Sequence, residues 1–117
     1  MSITNTKMNT LRSTQKGKHA SSTEIRRIVW EYLVWPLVVN KNDGYFTLKE
    51  YQNERKKVCY HNNIPQSKIS GGLVSLLCKG VLCREGKSYF INYKLWPYLK
   101  RKANINYSLA IKTIYSK

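Results

Sequence analysis

Acidic residues are scarce in this chain: six Asp and Glu stand against 21 Lys and Arg, and only two His accompany them. The few carboxylates are spread out, most of them on helix faces, so no pair is placed for general acid–base work. Two histidines offer little for a nucleophilic relay, and the six glycines include no Gly-rich phosphate-cradling loop. Neither an enzyme nor a cofactor is therefore expected. Three cysteines, an odd number, cannot close a disulfide framework. No charged segment leads into an apolar run and a small-residue cleavage site, so reduced thiols and a cytoplasmic location, nucleoid or host-cell, are expected. The longest apolar stretch, Leu33 to Val39, is broken by Pro36 and is far too short to cross a bilayer. No membrane partner is expected.

What is abundant is positive charge, a formal net +15 over 117 residues. A field of that sign and size draws in phosphate at long range, and the self-repulsion it creates is relieved when a polyanion binds. The length makes one domain with a modest core, which 42% apolar content is enough to fill. Lys outnumbers Arg by 15 to 6, with plentiful Asn, Ile and Tyr, a composition that suits an AT-rich genome such as that of a phage or mobile element.

Residues 1–22 carry Lys7, Arg12, Lys16 and Lys18 but no acid or apolar period, and read as a flexible basic arm. Ser22 or Thr23 then caps a helix whose Ile25, Ile28, Val29, Tyr32 and Leu33 fall on one face, with Pro36 ending or kinking it. NKNDG, residues 40–44, is a turn, and YFTL, residues 45–48, alternates as a short strand does. Thr47 and Glu50 match a capping box opening a second helix, Leu48 to about Tyr60, which ends in the cations Arg55, Lys56 and Lys57. After the connection HNNI, Pro65 suits the first turn of a third helix over 65–79, with Ile69, Leu73, Leu76 and Leu77 as its apolar stripe and Gly80 as its cap. Val81 to Arg84 and Ser88 to Tyr93, joined through Glu85, Gly86 and Lys87, predict a hairpin. Pro97 opens a short helix carrying Lys100, Arg101 and Lys102, and residues 103–117 favour a helix slightly over a strand.

Cys59, His61, Cys78 and Cys83 raise a zinc site, but the spacings C-x-H and C-x4-C are not those of a usual structural site, so no metal is expected. Trp30, Trp35 and Trp96 could stack on single-stranded bases, although core or interface packing suits them better; an exposed Trp pair would mark a partner surface.

From Thr23 to about Lys102, the order helix, short strand, helix, helix, hairpin resembles the winged-helix superfamily, with LVSLLCKGVLCRE carrying the step from third helix to wing. The expected fold class is α+β: a winged helix-turn-helix with a three-helix core, a short hairpin wing and a C-terminal helix. The expected organisation is an arm over 1–22, the domain over 23–102 and a C-terminal segment over 103–117 that could serve dimerisation. The resemblance implies that the third helix enters the major groove of double-stranded DNA, with Gln66, Ser67, Lys68 and Ser70 as base contacts and Ser75 and Lys79 nearby. The same residue types also occur on any solvated helix face. Gly71 and Gly72, each costing about 1 kcal/mol against Ala inside a helix, imply close backbone approach, either of DNA or of the first helix. The resemblance places Arg84, Lys87 and Ser88 at a wing tip over the adjacent groove or backbone, although hairpin tips are also charged for solubility. Arg55, Lys56 and Lys57, like Lys100 to Lys102, supply phosphate contacts.

These expectations describe a sequence-specific transcriptional regulator, a homodimer through the first helix or the C-terminal segment. The alternatives are a plasmid or phage replication or partition factor, and a phage-type anti-defence protein docking on a host protein partner that handles nucleic acid.

Overall fold

The computed structural model describes residues 22–116 of the chain, so the arm expected over residues 1–22 lies outside the described residues except for Ser22. An unbroken helical rod opens the description: α1 (Ser22–Ile28), a π-helical segment (Val29–Val34) and α2 (Trp35–Lys41). Pro36 was expected to end or kink this rod, and the helix runs on through it. The π register hands over just before it, with the Trp35 amide donating to the Trp30 carbonyl five residues back, and Pro36 then sits in the first turn of α2, where a missing N–H does least harm. The extra residue per turn also changes which side chains face inward. Val29, Trp30, Leu33, Val34 and Val38 are fully buried, whereas Tyr32, expected on the apolar stripe, is exposed. Asn42, in the left-handed region at φ 55°, terminates the rod.

Strand β1 (Tyr45–Thr47) leads into α3 (Leu48–His61) through the expected capping box: the Glu50 amide donates to Thr47 Oγ1 at 3.1 Å and the Thr47 amide to Glu50 Oε1 at 2.8 Å. Lys41 Nζ reaches the same Glu50 oxygen at 2.9 Å. Bonding to the Thr47 amide first, and to Lys41 second, holds the Glu50 carboxyl below its usual range.

The helix expected over 65–79 is two pieces. Pro65 is extended rather than helical, a 3-10 turn covers Gln66–Ile69, Ser70 is extended again, and α4 (Gly72–Cys78) starts only after Gly71, whose φ is +81°. The physical reason lies at Gly72, where an added Cβ would stand 2.4 Å from Val29 Cγ2 and 3.0 Å from Ile25 Cγ2. The two glycines thus serve close approach to the first helix, Gly71 by allowing the left-handed turn and Gly72 by having no side chain to collide. Ile69, Leu73 and Leu76 are nevertheless all buried, as the apolar period required.

Strands β2 (Leu82–Glu85) and β3 (Ser88–Ile91) form the expected hairpin, with Gly86 at φ +63° in its turn, and β1 adds to the far side of β3 in the order β1-β3-β2, all antiparallel. The inner face carries Phe46, Tyr89, Leu82 and Ile91, and the Phe46 and Tyr89 rings stack at 5.5 Å. A 3-10 turn (Tyr93–Leu95), α5 (Trp96–Lys100) and α6 (Tyr107–Tyr115) complete the chain. The architecture is α+β, helices around a small three-stranded antiparallel sheet.

The C-terminal segment belongs to the same core, since Ile105, Tyr107, Ala110 and Ile114 are buried in one cluster with the first helix. Polar contacts lock it there. Trp30 Nε1 donates to the Ile105 carbonyl and Trp35 Nε1 to the Ala103 carbonyl, each at 3.0 Å, while the Tyr107 amide donates to Glu31 Oε2 at 2.9 Å. Both tryptophans are buried, their rings 5.4 Å apart, so they form no exposed pair. Among the described residues, no helix is long and apolar enough to cross a membrane.

Candidate nucleic-acid interface

Helical spacing sets Leu48, Tyr51, Gln52 and Arg55 on one side of α3. The hairpin rises beside the start of that helix, and the first turn of α4 closes the other flank. Between them lie two adjoining clefts that share Leu48 and Tyr89. One, about 460 Å³, is lined by Thr47, Lys49, Arg84 and Lys87 as well. The other, about 170 Å³, runs on past Gln52 and Arg55 to Gly71, Gly72 and Val74. Four cations, two from α3 and two from the hairpin, thus border one groove, and among the described lining residues there is no Asp or Glu.

Two of these cations are held in place. Arg84 Nε donates to the Gly86 carbonyl at 3.0 Å, and its guanidinium carbon lies 5.5 Å from the Tyr89 ring centroid, so the hairpin turn and an aromatic face fix its direction. Arg55 is half-buried with its guanidinium carbon 5.8 Å from the Tyr51 ring centroid, and its Nε is a buried donor without a hydrogen-bond partner. A buried donor left unsatisfied costs about 1–3 kcal/mol. Tyr51 is buried beneath it; burial pushes its hydroxyl up to about 12, so the phenol stays a donor at neutral pH. Burial likewise pushes the Cys59 thiol up.

Of the residues singled out from sequence, Arg55, Gly71, Arg84 and Lys87 meet in this groove. Gln66, Ser67 and Lys68 are exposed on the 3-10 turn, and Ser70 on the link that follows, so they precede α4 instead of forming its N-terminal half. Two residues face elsewhere. Ser75 accepts from Arg26 Nη1 at 2.9 Å, and Lys79 lines a separate cleft beside the first helix. Ser88 is half-buried in the sheet opposite Thr47 and Glu85. Lys56 and Lys57 are exposed on α3, with Lys57 Nζ 3.8 Å from Glu54 Oε1.

Sequence reasoning missed Lys49, Gln52 and Tyr89. The i, i+4, i+7 relation of Leu48, Gln52 and Arg55 could have shown Gln52, but nothing local joins Lys49 to a hairpin more than 30 residues on. Cys59 is buried, Cys83 half-buried and Cys78 exposed, and among the described residues no group of three or more His, Cys, Asp or Glu could hold a metal ion. Comparison with protein-family models, with curated proteins and with solved structures finds no match to this chain.

Proposed function

We propose that the protein binds double-stranded DNA as a winged-helix-type transcriptional regulator, gripping the duplex backbone with the groove between α3, the start of α4 and the hairpin. The observation that carries this reading is the carboxylate-free ring of Lys49, Arg55, Arg84 and Lys87, with an unsatisfied Arg55 donor beneath it. Phosphate is the ligand whose charge and acceptor oxygens suit such a ring, and the net charge of +15 supplies the long-range attraction. Gln66, Ser67 and Lys68, exposed on the turn bordering the groove, are the base-reading set, and the hairpin tip takes the adjacent backbone. Two copies reading half-sites one helical turn apart would pair through α6, which exposes Leu109 and Tyr115, or through the first helix, which exposes Tyr32. An exposed Trp30–Trp35 pair would have marked a partner surface, and both side chains are buried.

The test is selection from random-sequence duplex at low and physiological salt, with variants. Arg84→Ala and Lys87→Ala should each weaken all duplexes and lower the salt slope by about one phosphate contact. Lys68→Ala should instead relax the preference between sequences, at about 1–3 kcal/mol for the base it reads. If Arg84→Ala leaves both affinity and salt slope unchanged while the fold is intact, the groove is not the interface.

A further inference from the structure

Beyond the C-terminal end of α4, at Lys79, a second cleft, about 460 Å³, opens between the first helix and α6, within the size range of small-molecule sites. Its charged lining is Arg26, Arg27, Lys79 and Glu31; its apolar wall is Tyr107, Ile111 and Tyr115. Glu31 is committed, since Oε1 lies 3.5 Å from Arg27 Nη1 and Oε2 accepts the Tyr107 amide. Arg26 differs. Its Nε donates to Tyr107 Oη at 2.9 Å, Nη1 to Ser75 Oγ at 2.9 Å and Nη2 to Thr23 Oγ1 at 3.3 Å, three hydroxyls that orient the guanidinium. Of its five N–H groups the described contacts use three, leaving one on each terminal nitrogen for an anion.

We infer that this cleft binds a small organic anion, a carboxylate carried on an aromatic or aliphatic body, with Arg26 and Lys79 on the anion and Tyr107, Ile111 and Tyr115 on the body. A phosphate ion or a stretch of nucleic acid would meet the cations but leave the apolar wall unused. The cleft is wired to α4 by two bonds, Arg26 to Ser75 and Tyr115 Oη to the Lys79 carbonyl at 2.7 Å. Occupancy therefore biases the position of α4, and with it the groove that its first turn borders. That coupling rests on the nucleic-acid reading, whereas the binding does not.

The experiment titrates the full chain with 2-naphthoate, followed by isothermal calorimetry and by amide chemical shifts, with neutral 2-naphthamide and inorganic phosphate as comparisons. Saturable one-site binding of naphthoate is expected, with shifts at Tyr107, Ile111 and Lys79 and at least about tenfold weaker binding of either comparison compound. Arg26→Lys, which keeps the charge and loses the fork, should weaken it about tenfold, and the exposed Lys79→Gln by a few-fold with no loss of fold. The inference is overturned if naphthoate does not saturate, if phosphate binds as well, or if Lys79→Gln and Arg26→Lys both bind like the parent chain. Naphthoate binding without any change in duplex affinity would sustain the site and remove the coupling; failure of the naphthoate-free chain to bind any duplex, with naphthoate still binding, would sink the nucleic-acid reading alone.

Discussion

Replacing Gly72 by Ala puts a methyl group where the first helix already is. Its Cβ would lie 2.4 Å from Val29 Cγ2 and 3.0 Å from Ile25 Cγ2, against the roughly 3.5 Å at which carbon atoms ordinarily touch. Val29 is fully buried and β-branched, so its χ1 has no free well to rotate into, and α4 or the first helix must move by about 1 Å. Overpacking of this kind costs about 1–3 kcal/mol, and the better helix propensity of Ala returns less than about 1 kcal/mol at the start of a helix. The expected net loss is about 1–2 kcal/mol. Urea unfolding followed by circular dichroism measures it, and a cycle with Val29→Ala locates its cause. Truncating Val29 opens the space the new methyl needs, so the two changes should be coupled by about 1–2 kcal/mol. Gly71→Ala, which meets nothing within 4 Å but sits at φ +81°, should lose a similar amount through backbone strain and show little coupling to Val29→Ala. A Gly72→Ala protein as stable as the parent, with effects that simply add to those of Val29→Ala, would refute close helix approach as the reason for this glycine.

Trp30→Phe keeps most of the buried ring but removes the donor to the Ile105 carbonyl, and should lose about 2–4 kcal/mol in urea unfolding; a loss below about 0.5 kcal/mol would show that the indole does not clamp the C-terminal segment. The Glu50 carboxyl is held below its usual value in the fold, so its contribution is complete above the unfolded value of 4.5 and disappears as pH falls through the folded one. Glu50→Gln should therefore flatten the stability profile below about pH 4.5 and cost only about 0.5 kcal/mol at neutral pH, because the side chain is 40% exposed; an unchanged acid limb would refute the capping contribution.

Local chemistry was enough to read several elements from the residues. Thr47 and Glu50 announce the start of α3 because both halves of a capping box lie within four residues, and Gly86 between β-forming runs announces the hairpin because a tight turn needs φ > 0. The surplus of cations is a property of composition and holds whatever the fold. Tertiary contacts decided the rest. The stripe Ile69, Leu73 and Leu76 keeps a helical spacing although the backbone is broken between Ile69 and Gly72, since periodicity records which side chains are buried and not whether one helix carries them. Likewise the indole bonds that hold residues 103–105 join positions remote in sequence. Charge was legible residue by residue, but the gathering of Lys49 and Arg55 with Arg84 and Lys87 around one groove was not, because only packing brings α3 beside the hairpin.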